Sequence, residues 1–282
     1  MTDQIKPTAS SEEIVATVRD RYGRIAEGSD SCCSPATGCC GSAPAGLSTG
    51  LGYAAADLNL LPDGADLGLG CGAPLEHLDL QPGETVVDLG SGAGIDALIA
   101  ARAVGPEGRV IGIDMTPEML VKARSNAAAA GADHVDFREG RLEALPIADE
   151  TVDAITSNCV INLVPDKQKV FSEIARVLKP GGRLAVSDVM LDGELPDVVT
   201  RDVMAYVGCV SGAIQRQDYL AMLSAAGLGD VEIAKDVDFL ATVADSLPEE
   251  ISSAMEQLGL SSHDLEGVVR SITYRARKRS ES

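Results

Sequence analysis

The sequence has no tryptophan, and aromatic residues of all kinds make up 3% of its 282 residues. Pockets for bulky organic ligands are lined largely by apolar and aromatic side chains, so a large planar acceptor is disfavoured from the start. Basic residues are also scarce, with 23 Lys and Arg against 43 Asp and Glu, a formal net charge of −20. That balance argues against nucleic-acid or anionic-membrane partners, which need clustered cations. The one basic cluster, Arg275, Arg277 and Lys278, reads as the solvated edge of a last strand or tail. No apolar run of eighteen residues occurs, and the opening MTDQIKPTASSEE lacks the charged-then-apolar form of an export signal. A cytoplasmic monomer is the expectation. Histidine is sparse too: His77, His134 and His263 stand apart in polar surroundings and read as surface residues.

What the chain does have is seven cysteines. An odd number without an export signal argues for reduced thiols that bind or react rather than for a disulfide framework. Cys32, Cys33, Cys39 and Cys40 form two adjacent pairs in SCCSPATGCC, while Cys71, Cys159 and Cys209 lie far apart. The paired set could bind zinc, but a four-cysteine zinc site favours spacers of two or more residues between paired ligands, which this stretch lacks. Cys71 stands in GLGCGAP, where the flanking glycines are expected to expose the thiol. Taken singly, each of the three separate thiols also has an ordinary reading as a small buried hydrophobe, less readily for Cys71, whose glycine-rich setting is no core strand.

Ser10 and Glu13 have capping-box spacing ahead of a helix to about residue 26, and residues 28–50, rich in Gly, Ser, Ala, Pro and Cys, read as loop. From residue 82 strands and helices alternate. ETVVDLG, GRVIGID, HVDFRE, TVDAITSN and GRLAVSDVM read as strands, with helices after the first two and over about residues 166–178. Thr116 and Pro117 supply an N-cap and first-turn proline, and Gly105 and Gly131 close helices. Such alternation predicts an α/β fold, a parallel sheet covered on both faces. Beyond residue 191 the pattern becomes α+β, with helices over about residues 195–207, 215–226 and 248–258 and strands at DVEIA and RSITYRA. Three parts are expected: an N-terminal helix and Cys-rich arm (1–50), a Rossmann-like domain (51–190) and a smaller C-terminal α+β region (191–282).

DLGSGAG places Gly90, Gly92 and Gly94 between the first strand and its helix, where a backbone must turn sharply and touch a ligand. Asp88 precedes them, and Asp114 ends the next strand, where a carboxylate can accept from both ribose hydroxyls. Residues 80–190, including VLKPGGRL, resemble class I S-adenosylmethionine-dependent methyltransferases. The resemblance implies S-adenosylmethionine as cofactor, held by Asp88, Gly90, Ser91, Gly92, Gly94 and Asp114. It also implies Met115 against the adenine, Arg141 and Leu142 at its edge, and Asn158 in the same site.

Three further stretches, DLGLGCG around Cys71, SNCVINL around Cys159 and YVGCVSGAI around Cys209, resemble the signatures of arsenite S-adenosylmethionine methyltransferases. Asp66 departs from the Asn common at that place. The resemblance implies that Cys71, Cys159 and Cys209 hold trivalent arsenic, that arsenite and then methylarsenite are methylated, and that arsenic detoxification is the role. The chemistry agrees, because arsenic(III) is soft and takes thiolates, and its lone pair can attack a methyl group. Methyl-cation transfer raises arsenic formally to the pentavalent state, so two electrons must follow. Thiols can supply them by closing a disulfide, which a thioredoxin-like dithiol or glutathione reopens. Cys32, Cys33, Cys39 and Cys40 are then accessory thiols for capture, delivery or relay. Two other functions compete: a methyltransferase for a small organic acceptor, and a non-enzymatic metalloid or redox sensor that keeps the fold.

Overall fold

The computed structural model describes residues 10–28, 47–195, 212–239, 241 and 265–280. The Cys-rich arm, Cys209, His263 and the helices expected near 195–207 and 248–258 lie at least largely outside the described residues.

Helix α1 (Ser11–Glu27) begins where the sequence requires: Ser10 Oγ accepts from the Glu13 N–H, and the Glu13 carboxylate accepts from the Ser10 N–H at 2.7 Å. Gly28, in the left-handed region at φ 73°, ends it. Two short helices follow, α2 (Leu47–Leu51) and α3 (Ala55–Leu58). The sheet then starts with β1 (Thr85–Leu89), and α4 (Ile95–Val104) leads to β2 (Arg109–Asp114). After α5 (Pro117–Ala130) come β3 (Val135–Glu139) and β4 (Val152–Asn158). Helix α6 (Lys167–Val177) precedes β5 (Leu178–Leu191), α7 (Arg216–Ala225) precedes β6 (Leu228–Asp238), and β7 (Val269–Lys278) is last.

All seven strands form one sheet in the order β3-β2-β1-β4-β5-β7-β6. The first five are parallel and their central members are buried on both faces, which explains the unbroken apolar runs. Strand β7 is antiparallel to both β5 and β6, so the sheet is mixed rather than wholly parallel. It is also interior. The basic cluster expected at a solvated edge therefore sits on an inner strand, with Arg275 paired to Glu232 at 2.7 Å and Lys278 to Glu150 at 2.9 Å. Position in a sheet follows pairing, not chain order, and β6 takes the edge instead.

The strand order reverses between β1 and β4, so their carboxyl ends diverge into a crevice where open α/β sheets bind ligands. Three of the scarce aromatics, Phe171, Tyr219 and Tyr274, stack edge-to-face in the core, with centroids 5.2 and 5.9 Å apart.

Candidate active site

At the end of β1, Gly90 (φ 69°) and Gly92 (φ 50°) adopt left-handed backbone conformations that side chains resist. The turn is pinned from β2. Ile113 O accepts from the Gly90 and Ser91 N–H groups at 2.8 and 3.0 Å, and the Asp114 carboxylate accepts from Gly92 N–H at 2.9 Å and Thr116 N–H at 2.8 Å. Burial raises the Asp114 pKa, opposed by these backbone donors. Two N–H groups leave a carboxylate with unused acceptor sites. Gly94 serves packing instead. It caps α4 at φ 98° and lies on Phe137, where a Cβ would come within 3.0 Å of Cζ.

A cleft opens over this turn, walled by Asp88, Gly90, Ser91, Gly92, Asp114 and Met115, with Arg141, Leu142, Asn158 and Cys159 on the same wall. Gly94 does not line it. Helix α1 covers one side with Val15, Val18 and Tyr22, and α2 contributes Ser48 and Leu51. Arg141 is the one cationic side chain among the described lining residues, and Glu143 neutralises it at 2.6 Å. Asp66, Asp88, Asp96 and Asp114 face the same space. Asp88 Oδ2 and Ser91 Oγ are buried with no hydrogen-bond partner, and burial followed by the charge of Asp96 pushes Asp88 far above the usual carboxylate range. A cleft with an acidic wall and unused polar atoms beside a left-handed glycine turn suits a cationic, hydroxyl-bearing ligand such as S-adenosylmethionine.

Asn158 closes β4 and Cys159 follows it at φ 57°, a conformation uncommon for any residue but glycine, asparagine or aspartate. Its N–H donates to Ser187 O at 2.8 Å, and the residue is 7% exposed. Cys71 is 3% exposed, contrary to the expectation that its glycines would bare it. Those glycines permit close packing instead: a Cβ on Gly70 would lie 2.8 Å from Asn158 Nδ2, and one on Gly72 would lie 2.5 Å from Ser187 Oγ. Cys71 and Cys159 belong to one buried cluster with Ile14 and Val18 of α1, Leu163, Val189 and Val269.

Asn158 joins the two thiol segments. Its Oδ1 accepts from the Cys71 N–H at 3.0 Å, while Nδ2 donates to Gly72 O at 2.7 Å and to Tyr53 Oη at 2.8 Å. Tyr53 in turn donates to Asp96 at 2.8 Å. Burial lifts Asp96 to about 6, against the opposing hydrogen bonds from Tyr53 and Asn158. Asp66 uses a single oxygen, Oδ1, for Ser48 Oγ and the Gly68 N–H, an arrangement that asparagine would support equally.

Of the residues predicted from sequence, the structure thus assembles Asp88, Gly90, Ser91, Gly92, Asp114, Met115, Arg141, Leu142, Asn158 and Cys159 around one cleft, with Cys71 packed behind. Neither His77 nor His134 lines it, and His134 is half-buried with its ring 2.9 Å from Ala101 O rather than on the surface. Sequence reasoning missed Tyr53, Asp96 and Ser271, whose partners are remote in the chain.

Residues 80–227 match a family model described as a methyltransferase domain. An arsenite methyltransferase from Halobacterium salinarum is 51% identical over 231 residues, which are 79% of this chain and 59% of that protein. One from Homo sapiens is 39% identical over 165 residues, 55% of this chain and 43% of the relative. The chain therefore spans about half the length of the curated relatives it matches. Among solved structures, an arsenic(III) S-adenosylmethionine methyltransferase from Chlamydomonas reinhardtii superposes with a TM-score of 0.60 at 29% identity, covering 85% of this chain and 75% of the other. The [4+2]-cyclase SpnF superposes at 0.62 but 22% identity, covering 98% and 99%, and shows the fold alone.

Proposed function

The chain belongs to the methyltransferase domain family, and on that footing we propose that it methylates trivalent arsenic with S-adenosylmethionine, in the service of arsenic detoxification. The observation that carries the reading is the burial of Cys71 and Cys159 in one cluster, with Cys159 on the wall of the glycine-turn cleft. Cys159 holds an uncommon backbone conformation, φ 57°, at the wall of that cleft, which supports a functional role for its thiol.

When bound, S-adenosylmethionine supplies an electrophilic methyl group already activated by positive sulfur, so the protein's work is placement. Asp114 would accept from the ribose hydroxyls while holding the glycine turn through Gly92, and the turn's backbone would hold the rest of the ligand closely. Asp88, Ser91, Met115, Arg141, Leu142 and Asn158 complete the cofactor wall. Cys159, Cys71 and Cys209 would serve as sulfur ligands to arsenic, their thiolates enriching its lone pair for attack on the methyl. The oxidised product then needs two electrons from thiols, with an external dithiol or glutathione restoring them; Cys32, Cys33, Cys39 and Cys40 are the accessory set.

Release of S-adenosylhomocysteine with and without arsenite tests the reading. Arsenite-dependent release is expected. A methylase for an organic acceptor ignores arsenite, and a sensor releases nothing in either case.

A further inference from the structure

We infer that Asn158 and Ser271 are positioning residues that hold Cys71 in place as the third arsenic ligand, and that they thereby set the balance between inorganic arsenite and methylarsenite as substrates. The inference rests on the arsenic reading above. Arsenite has three valences open to sulfur, whereas methylarsenite has already given one to carbon and can take only two. Whatever fixes the third thiol therefore matters to one substrate and not to the other.

Cys71 belongs to no strand, and its peptide is gripped from the sheet by side chains. Its N–H donates to Asn158 Oδ1 at 3.0 Å, and its C=O accepts from Ser271 Oγ at 2.7 Å inside the protein. The next carbonyl, Gly72 O, accepts from Asn158 Nδ2 at 2.7 Å. Gly72 itself is seated on Ser187 of β5 and Thr273 of β7, two hydroxyls that bond each other at 2.8 Å and leave no room for a Cβ. The segment thus lies over the end of β4 and over β5 and β7, with both the N–H and the C=O of Cys71 satisfied. Because Asn158 is bonded directly to Cys159, one side chain ties together the backbones that carry the two thiols.

Ser271 does not line the cofactor cleft, so its loss reports on Cys71 without touching the methyl donor. Removing one such hydrogen bond lets the Cys71 segment loosen, and ordering it again falls on the substrate that needs three sulfurs.

The test compares full-length wild type with Ser271→Ala, Asn158→Ala and Cys71→Ser, measuring S-adenosylhomocysteine release with arsenite and with methylarsenite. The ratio of the two rates should fall about tenfold in Ser271→Ala and in Asn158→Ala, toward that of Cys71→Ser. Ser271→Thr, which keeps the hydroxyl, should restore it. Arsenite titrated without cofactor and followed by arsenic–thiolate absorbance should weaken in the same variants. An unchanged ratio in a folded Ser271→Ala overturns the inference, and if that variant does not fold, Asn158→Ala decides. Equal loss on both substrates in Asn158→Ala, with weakened cofactor binding, assigns that residue to the cofactor instead. If wild type releases nothing with arsenite, the arsenic reading itself fails, an outcome distinct from a working enzyme whose variants keep its ratio.

Discussion

Gly90 lies directly beneath Val160: a Cβ at Gly90 would fall 2.5 Å from Val160 Cγ2 and 2.7 Å from its Cβ. The turn that follows β1 and the loop that carries Cys159 are therefore in contact, and neither can shift alone.

Gly90→Ala should accordingly damage both halves of the site. The substitution combines an unfavourable left-handed conformation, at about 1 kcal/mol or more, with a steric overlap that pushes Val160 and Cys159. Calorimetry should show weaker S-adenosylmethionine binding, and arsenite titration should show weaker thiolate ligation. Loss of the first with the second intact would show that the contact is not transmitted.

Asp114→Ala should weaken S-adenosylmethionine binding by about 2 kcal/mol, since charge-assisted hydrogen bonds to ribose are lost and the Gly92 N–H loses its acceptor. Asp114→Asn, which keeps one oxygen for a backbone donor, should fall between. Near wild-type affinity in the alanine variant removes Asp114 from the site.

Cys159→Ser should abolish turnover of every arsenic substrate while leaving the fold intact, because serine fills the same space but is neither soft nor ionised at neutral pH. Circular dichroism checks the fold and product analysis the turnover. Appreciable methylation by this variant sinks the thiolate site.

Cys71→Ser should lose the first methylation of arsenite yet retain methylation of methylarsenite, on the valence argument already given. Product speciation by chromatography decides it. Failure on both substrates would give Cys71 another role, and normal handling of both would rule out three-thiolate ligation.

Stability should fall as pH rises from about 5 to 7. Asp188 is lifted to about 7 by burial, against the opposing Val189 N–H and the charge of Lys167, and Asp96 is lifted to about 6. In the folded protein both keep protons that the unfolded chain, titrating near 4, has already released, so their contribution is greatest at low pH and is lost through these values. Glu84, held down by the hydrogen bond from Arg183, acts in the opposite sense at lower pH, outside this window. Denaturant midpoints measured across the range should decline, and Asp188→Asn should flatten the decline above pH 6.

The readable part of the molecule is the part whose causes are local. The capping box at Ser10, the glycine closures at Gly105 and Gly131, and the buried runs of β1, β2 and β4 all depend on neighbours within a few residues. Cys159 was legible because it follows an apolar strand. The burial of Cys71 was not, since what buries it comes from Asn158, 87 positions on, and from Ser271, 200 positions on. Tyr53 and Asp96 are single polar letters in unremarkable surroundings, and their pairing across 43 positions leaves no local pattern. The interior place of β7 was hidden for the same reason, because strand pairing is settled by the whole sheet.

Helices α1 and α2 both line the cleft, and the stretch 29–46, with its four cysteines, connects them. The helices on either side of that stretch thus both contribute to the cleft wall. If a thiol of that stretch reached the cleft, it would meet its target at an effective concentration on the order of millimolar, as for any short tether. Sulfur exchange between these cysteines and Cys159 would then be first order in protein and indifferent to dilution, while any free dithiol would have to compete against that local supply.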